Sequence, residues 1–157
     1  MSLTEFKKYN NIVGWILLVI SALVYTFTME SSASFWDCGE FIAASYKMQV
    51  VHPPGAPIFL MLGRLFTLLS FGNVEMISVM MNFMSALCSA FAMLFLFWSI
   101  THLARRAYMK THEALDRSAA IAILGSGFIG ALAGTFCDSI WFSAVEAEVY
   151  SLSLIHI

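Results

Sequence analysis

Three uncharged apolar runs, residues 12–28, 76–103 and 118–136, decide what this chain can fold into. A helix needs roughly 20 apolar residues to cross about 30 Å of hydrocarbon, and each run meets or approaches that length. Polar interruptions are few: Asn82 and short hydroxyl residues in the second run, glycines in the third. Hydrophobic residues make up 60% of the chain and charged residues 11%, against about 45–50% and about 25% in soluble domains. The expected fold class is an all-α integral membrane protein, multi-pass, lying in a lipid bilayer. Nucleic acid is not an expected partner.

A fourth apolar stretch, residues 56–71, is shorter, carries Pro57 in its first turn and holds Arg64 near its centre. Positive charge decides how to read it, because Lys and Arg collect in cytoplasmic loops. Lys7 and Lys8 precede the first run, while Arg105, Arg106, Lys110 and Arg117 lie between the second and third. If both groups are cytoplasmic, an even number of crossings separates them. The stretch 56–71 is then an interfacial helix with Arg64 snorkelling towards the headgroups. This topology places Asp37, Glu40, His52, Arg64, Asp138, Glu146 and Glu148 outside the cytoplasm and the N-terminus inside it. A cleaved signal peptide ending near residues 31–33 is the alternative reading of the first run. Residues 149–157 read as the start of a further span, at about 13 Å too short to cross. The chain is therefore expected to be the N-terminal piece of a longer protein, with closing residues that need not be native.

Ionisable groups held at a membrane face are functional candidates, and they concentrate in two places. Asp37-Cys38-Gly39-Glu40, preceded by Trp36, opens a helix expected over residues 34–48 along the membrane surface. Ser34-Phe35-Trp36-Asp37 fits a capping box, so Asp37 serves either to cap the helix or as a catalytic carboxylate. Glu40, three residues on, shares its helix face. Neighbouring carboxylates raise each other's pKa, which suits general base work. His52-Pro53-Pro54-Gly55 then forms a stiff corner, since proline fixes φ and lacks an N–H; it holds His52 beside the carboxylate helix. The second place is Asp138 with Trp141, Phe142, Glu146 and Glu148. It reads either as an aromatic belt with solvated acids or as a site, because an idle Glu148 at the start of an apolar helix is costly.

Other features carry less. Cys38, Cys88 and Cys137 are widely spaced and form no metal-binding pattern; Cys88 reads as a packing residue, and a Cys38–Cys137 disulfide is not favoured. Gly125-Ser126-Gly127-Phe128-Ile129-Gly130 matches the dinucleotide-binding pattern, but that motif needs a preceding strand and a phosphate in water. Inside an apolar run, Gly130 and Gly134 point to close helix packing instead. Asn82 is expected to make a helix–helix hydrogen bond.

Three motifs in order, W-D-C-G-E-F-I-A-A, H-P-P-G-A-P and W-F-S-A-V-E-A-E-V-Y, resemble the N-terminal part of a bacterial membrane glycosyltransferase family of the GT-C fold. That family is similar to eukaryotic transmembrane protein O-mannosyltransferases. The resemblance runs from about Ser34 to Leu152 and implies the N-terminal part of a multi-span helical bundle, with interfacial helices in the first extracytoplasmic loop. It implies transfer of a sugar, mannose or a similar hexose, from a polyprenyl-phosphate-linked donor to an acceptor protein or glycan, in the bacterial inner membrane. Asp37 and Glu40 hold the catalytic positions, with Asp37 favoured as base. His52, Arg64, Glu146 and Glu148 are the substrate-binding candidates, His52 and Arg64 for the lipid phosphate. No cofactor is expected, although a carboxylate pair could hold a divalent cation. The piece alone is expected to be inactive. A transporter with acids along a translocation path, or a non-catalytic scaffold subunit, is the rival reading.

Overall fold

The computed structural model describes residues 1–34, 37–52 and 56–154. Among these the chain forms seven helices and no strand: α1 (Leu3–Thr28), α2 (Cys38–Lys47), α3 (Pro57–Leu68), α4 (Glu75–Tyr108), α5 (Arg117–Thr135), α6 (Asp138–Val145) and α7 (Val149–Leu154). Helices α1, α4 and α5 are long and apolar enough to cross a membrane. The protein is an all-α membrane protein.

Helix α1 begins nine residues before its apolar run because Ser2 starts it. The Ser2 hydroxyl accepts the Glu5 N–H, and the Glu5 carboxylate accepts the Ser2 N–H at 2.9 Å. This is a reciprocal capping box. Asp116 caps α5 with a single bond, accepting the Ala119 N–H at 3.1 Å. At 34 residues α4 is about 51 Å long, well beyond the hydrocarbon thickness. It is the axis of the bundle: 56% of its membrane-length stretch is buried, against 22% for α1 and 28% for α5. Ile12, Ile16, Val19 and Leu23 leave an exposed apolar face on α1, while Trp15 beside them meets Trp98 of α4 edge to face, with ring centroids 6.4 Å apart.

Small residues and hydroxyls bring the three long helices together. A Cβ on Gly127 would meet Thr101 Cγ2 at 2.6 Å, and one on Gly134 would meet Met93 Sδ at 3.0 Å. Gly130 is looser, at 3.2 Å from Ile100. The close α4–α5 approach therefore centres on Gly127 as well as the expected pair. Between α1 and α5 the buried hydroxyls of Ser21 and Thr135 lie 2.9 Å apart, and the Tyr25 hydroxyl donates to the Thr135 carbonyl at 2.9 Å. Such bonds cross-link helices where no water competes.

The two ends of the bundle differ in charge. At one end the N-terminal amine donates to the Leu115 carbonyl at 2.8 Å, which seats the start of α1 on the α4–α5 loop. Lys7, Lys8, Arg105, Arg106, Lys110 and Arg117 belong to this end. At the other end Asn82 Nδ2 donates to the carbonyls of Glu30 and Ser32, at 2.8 and 3.1 Å. Asn82 thus ties a helix to the loop after α1, not a helix to a helix as expected. The Glu30 N–H donates to the Val145 carbonyl at 3.0 Å, bringing α6 to the same end. Helix α4 consequently starts where α1 stops. At 12 residues, about 18 Å, α3 is too short to cross. It packs on α2 and α4 through Gly63, where a Cβ would meet Ser45 Oγ at 2.6 Å and Met81 Sδ at 2.8 Å. Phe41, Phe59, Leu60, Met81 and Met84 fill the core between them.

Candidate active site

Helix α2 starts at Cys38, with Asp37 at its N-cap. The capping box expected at Ser34 does not form: the Asp37 side chain makes no capping bond, and the Ser34 hydroxyl lies 3.5 Å from Cys38 Sγ. Ser34 is one turn too far from the first helical N–H groups to cap them. The capping reading of Asp37 is thereby removed, leaving its carboxylate free for other partners. Trp36, Pro53, Pro54 and Gly55 lie outside the described residues, as do residues 155–157, so the proposed stiff corner and the chain's last turn are not described.

His52 closes onto the two carboxylates. Its Nδ1 lies 2.8 Å from Glu40 Oε2, and its backbone N–H donates to Glu40 Oε1 at 2.9 Å. Its Nε2 lies 3.7 Å from Asp37 Oδ2, an ion-pair distance too long for a hydrogen bond. One carboxylate therefore grips the ring while the other stands beside it. The electrostatics follow from this grip. The hydrogen bond from His52 holds the Glu40 carboxyl below its ordinary range, and the Glu40 carboxylate, helped by Asp37, raises His52 above 6.5. Mutual raising of Asp37 and Glu40 was the expectation; for Glu40 the imidazole reverses it.

Next to this cluster lies a second. Cys38, 1% exposed, places its thiol 3.5 Å from Glu146 Oε2 and 3.8 Å from Glu148 Oε1. The α6–α7 turn delivers both glutamates to the start of α2. Burial raises the Glu148 carboxyl, and the charges of Asp37 and Glu146 raise it further. Asp37 thus links the two clusters. Burial also pushes the Cys38 thiol up to about 11, so it remains a protonated donor. The sequence offered no signal for this role, since Cys38 is 108 residues from Glu146.

Arg64 stands apart. Its Nη1 donates to the Tyr46 carbonyl at 2.6 Å, and the guanidinium lies 5.4 Å from the Tyr46 ring centroid. It thereby satisfies a carbonyl at the C-terminal end of α2, where cations are favoured. Asp138 lies in a separate cleft of about 390 Å³ with Glu30, Trp141 and Phe142, which Glu146 borders from the acid side. On the other flank, an apolar groove of about 270 Å³ runs between α3 and α7, lined by Pro57, Phe59, Val149 and Leu152.

These features define a class: a helical membrane protein carrying paired carboxylates and an imidazole at one end of its bundle. Residues 37–157 match the family model described as the Protein O-mannosyl-transferase TMEM260 N-terminal domain, and the chain belongs to that family. It is 27% identical over 150 residues to Protein O-mannosyl-transferase tmem260 of Dictyostelium discoideum, covering 95% of this chain and 16% of that protein. Against Protein O-mannosyl-transferase TMEM260 of Mus musculus it is 32% identical over 133 residues, covering 84% of this chain and 16% of the relative. The chain thus spans about a sixth of the length of these relatives. No solved structure gives a significant match.

Proposed function

We propose that this chain is the part of a GT-C membrane glycosyltransferase that carries the catalytic acids. The enzyme would transfer mannose or a similar hexose from a polyprenyl-phosphate donor to an acceptor hydroxyl outside the cytoplasm. The relatives' names support mannose and a protein acceptor, hence a Ser or Thr hydroxyl. The proposed setting is a bacterial inner membrane with the N-terminus inside.

One observation carries the assignment of roles: Glu40 uses both carboxylate oxygens on His52, whereas Asp37 keeps its carboxylate open beside the ring. Asp37 is therefore the base and Glu40 the residue that orients His52. In the reaction Asp37 takes the acceptor proton as the hydroxyl oxygen bonds to the anomeric carbon. The bond from that carbon to the phosphate oxygen breaks, and its electron pair leaves with the polyprenyl phosphate. His52 Nε2–H faces the developing charge, as a fixed donor should. The apolar groove between α3 and α7 suits the polyprenyl chain, and the aromatic cleft beside Glu146 suits a sugar. Arg64, engaged by Tyr46, is the weaker phosphate candidate. If a divalent ion takes part, Asp37, Glu40 and His52 would hold it, since their ligand atoms lie within 4.8 Å of one another and oxygen plus imidazole donors suit Mn²⁺ or Zn²⁺. Such an ion would supply a Lewis acid for the phosphate.

The transporter reading is less well supported, because the acids gather at one end of α1, α4 and α5 instead of lining a path along them. The test is sugar transfer by the full-length protein from a polyprenyl-phosphate sugar. Asp37→Asn should lower kcat by at least about a hundredfold with membrane insertion intact. Near wild-type turnover in Asp37→Asn together with loss in Glu40→Gln would reverse the two roles.

A further inference from the structure

We infer that the groove between α1 and α4 at the basic end of the bundle is a binding site for the phosphate headgroup of an anionic membrane lipid. The groove holds about 290 Å³; α1 contributes Lys7, Asn10 and Asn11, and α4 contributes Trp98, His102 and Arg105. This site lies at the opposite end from Asp37, Glu40 and His52 and does not depend on the function proposed above.

Charge is the first argument. Among the described residues neither Lys7 nor Arg105 makes an ion pair. Of the three carboxylates at this end, Glu5 closes the capping box on Ser2, Asp116 caps α5 while accepting the Tyr108 hydroxyl at 3.1 Å, and Glu113 is exposed in the α4–α5 loop and pairs with neither groove cation. An occupant carrying negative charge is the one complementary to the groove. Position is the second. The Arg105 guanidinium lies 5.9 Å from the ring centroid of Phe6, which is buried, so the cation is supported at the groove. Trp98 Nε1 and Asn10 Oδ1, on residues that line the groove, have no hydrogen-bond partner among the described residues. Both atoms are buried, Trp98 Nε1 against Gly14 of α1, so they make the inner wall of the groove polar without reaching its mouth.

Depth selects the source. Lys7 precedes Ile12, the first residue of the apolar run, by about 7.5 Å of helix. Arg105 follows Leu103, where the apolar run in α4 ends. Both cations thus stand just outside the hydrocarbon, in a headgroup layer about 5–7 Å deep. Cations near an anionic leaflet gain further from its surface potential.

The experiment measures lipid retained by the full-length protein after exchange into lipid-free detergent, by native mass spectrometry. Phosphatidylglycerol should be retained and phosphatidylcholine lost. Lys7→Gln with Arg105→Gln should lower phosphatidylglycerol retention about tenfold, and Lys7→Arg with Arg105→Lys should restore most of it. Arg106→Gln with Lys110→Gln removes the same charge from the same end but off the groove, and should leave retention unchanged. Equal losses in the two glutamine pairs would reduce the effect to diffuse attraction and overturn the site. Displacement of the lipid by millimolar inorganic phosphate would make the ligand a soluble anion and overturn the headgroup assignment.

Discussion

Glu40 and Glu148 are the same side chain under opposite electrostatic pressure. His52 stabilises the Glu40 carboxylate, whereas burial and two neighbouring acids oppose ionisation of Glu148. Both shifts make predictions with a definite sign. The stabilisation that protonated His52 draws from Glu40 is complete below pH 6.5 and disappears as the pH rises through its elevated pKa. On the acid side, the Glu40 contribution is present above 4.5 and is lost as the pH falls through its depressed value. The His52 ring proton should therefore titrate above 6.5 by NMR, and Glu40→Gln should bring it down. A wild-type ring titrating at or below 6.5 would show that the grip is absent in solution. Glu148 works the other way. The folded state holds its proton above 4.5, so its ionisation opposes folding as the pH rises. Glu148→Gln should raise the unfolding temperature, with a gain that begins above pH 4.5 and grows as the pH rises towards the raised pKa. A gain that shrinks with pH would mean that the carboxylate is better solvated than its burial implies.

At the scale of the helix, two glycines of one motif should respond oppositely. Gly125 has open space where a Cβ would go, whereas Gly127 abuts Thr101 Cγ2 and the Phe97 ring. Thr101 is buried, β-branched and held by a hydrogen bond to the Trp98 carbonyl at 3.1 Å, so it cannot retreat. Gly125→Ala should stabilise by roughly 0.5–1 kcal/mol, because alanine loses less backbone freedom in a helix. Gly127→Val should destabilise by about 1–3 kcal/mol through overpacking. Thermal unfolding in detergent checks both, and a stable Gly127→Val protein would show that α4 and α5 are not held this closely.

For the whole molecule, the separation of charge into a basic end and an acid-bearing end predicts sidedness. The α4–α5 loop should be cytoplasmic and α2 extracytoplasmic. Single-cysteine variants in a cysteine-free background, Lys110→Cys and Lys47→Cys, should label from opposite faces of the membrane. Labelling of both from one face would discard the topology and, with it, the extracytoplasmic site.

Much of the architecture was legible in residue order alone. Long uncharged runs leave a chain no alternative to membrane helices, because that effect acts through local composition and needs no partner. The paired positions of Asp37 and Glu40 follow from helical spacing in the same way, and Gly130 and Gly134 already pointed to close packing. Three-dimensional contact alone decided the rest. That Asp37 is not engaged as a cap, that His52 grips Glu40 and only approaches Asp37, and that Cys38 meets Glu146 and Glu148 all depend on groups separated by up to 110 residues. So do the choice of Gly127 as the tightest contact and the tie from Asn82 to the loop after α1. Hydrogen-bond geometry and burial, which set the direction of each pKa shift here, are properties of the packed chain and have no periodicity to read.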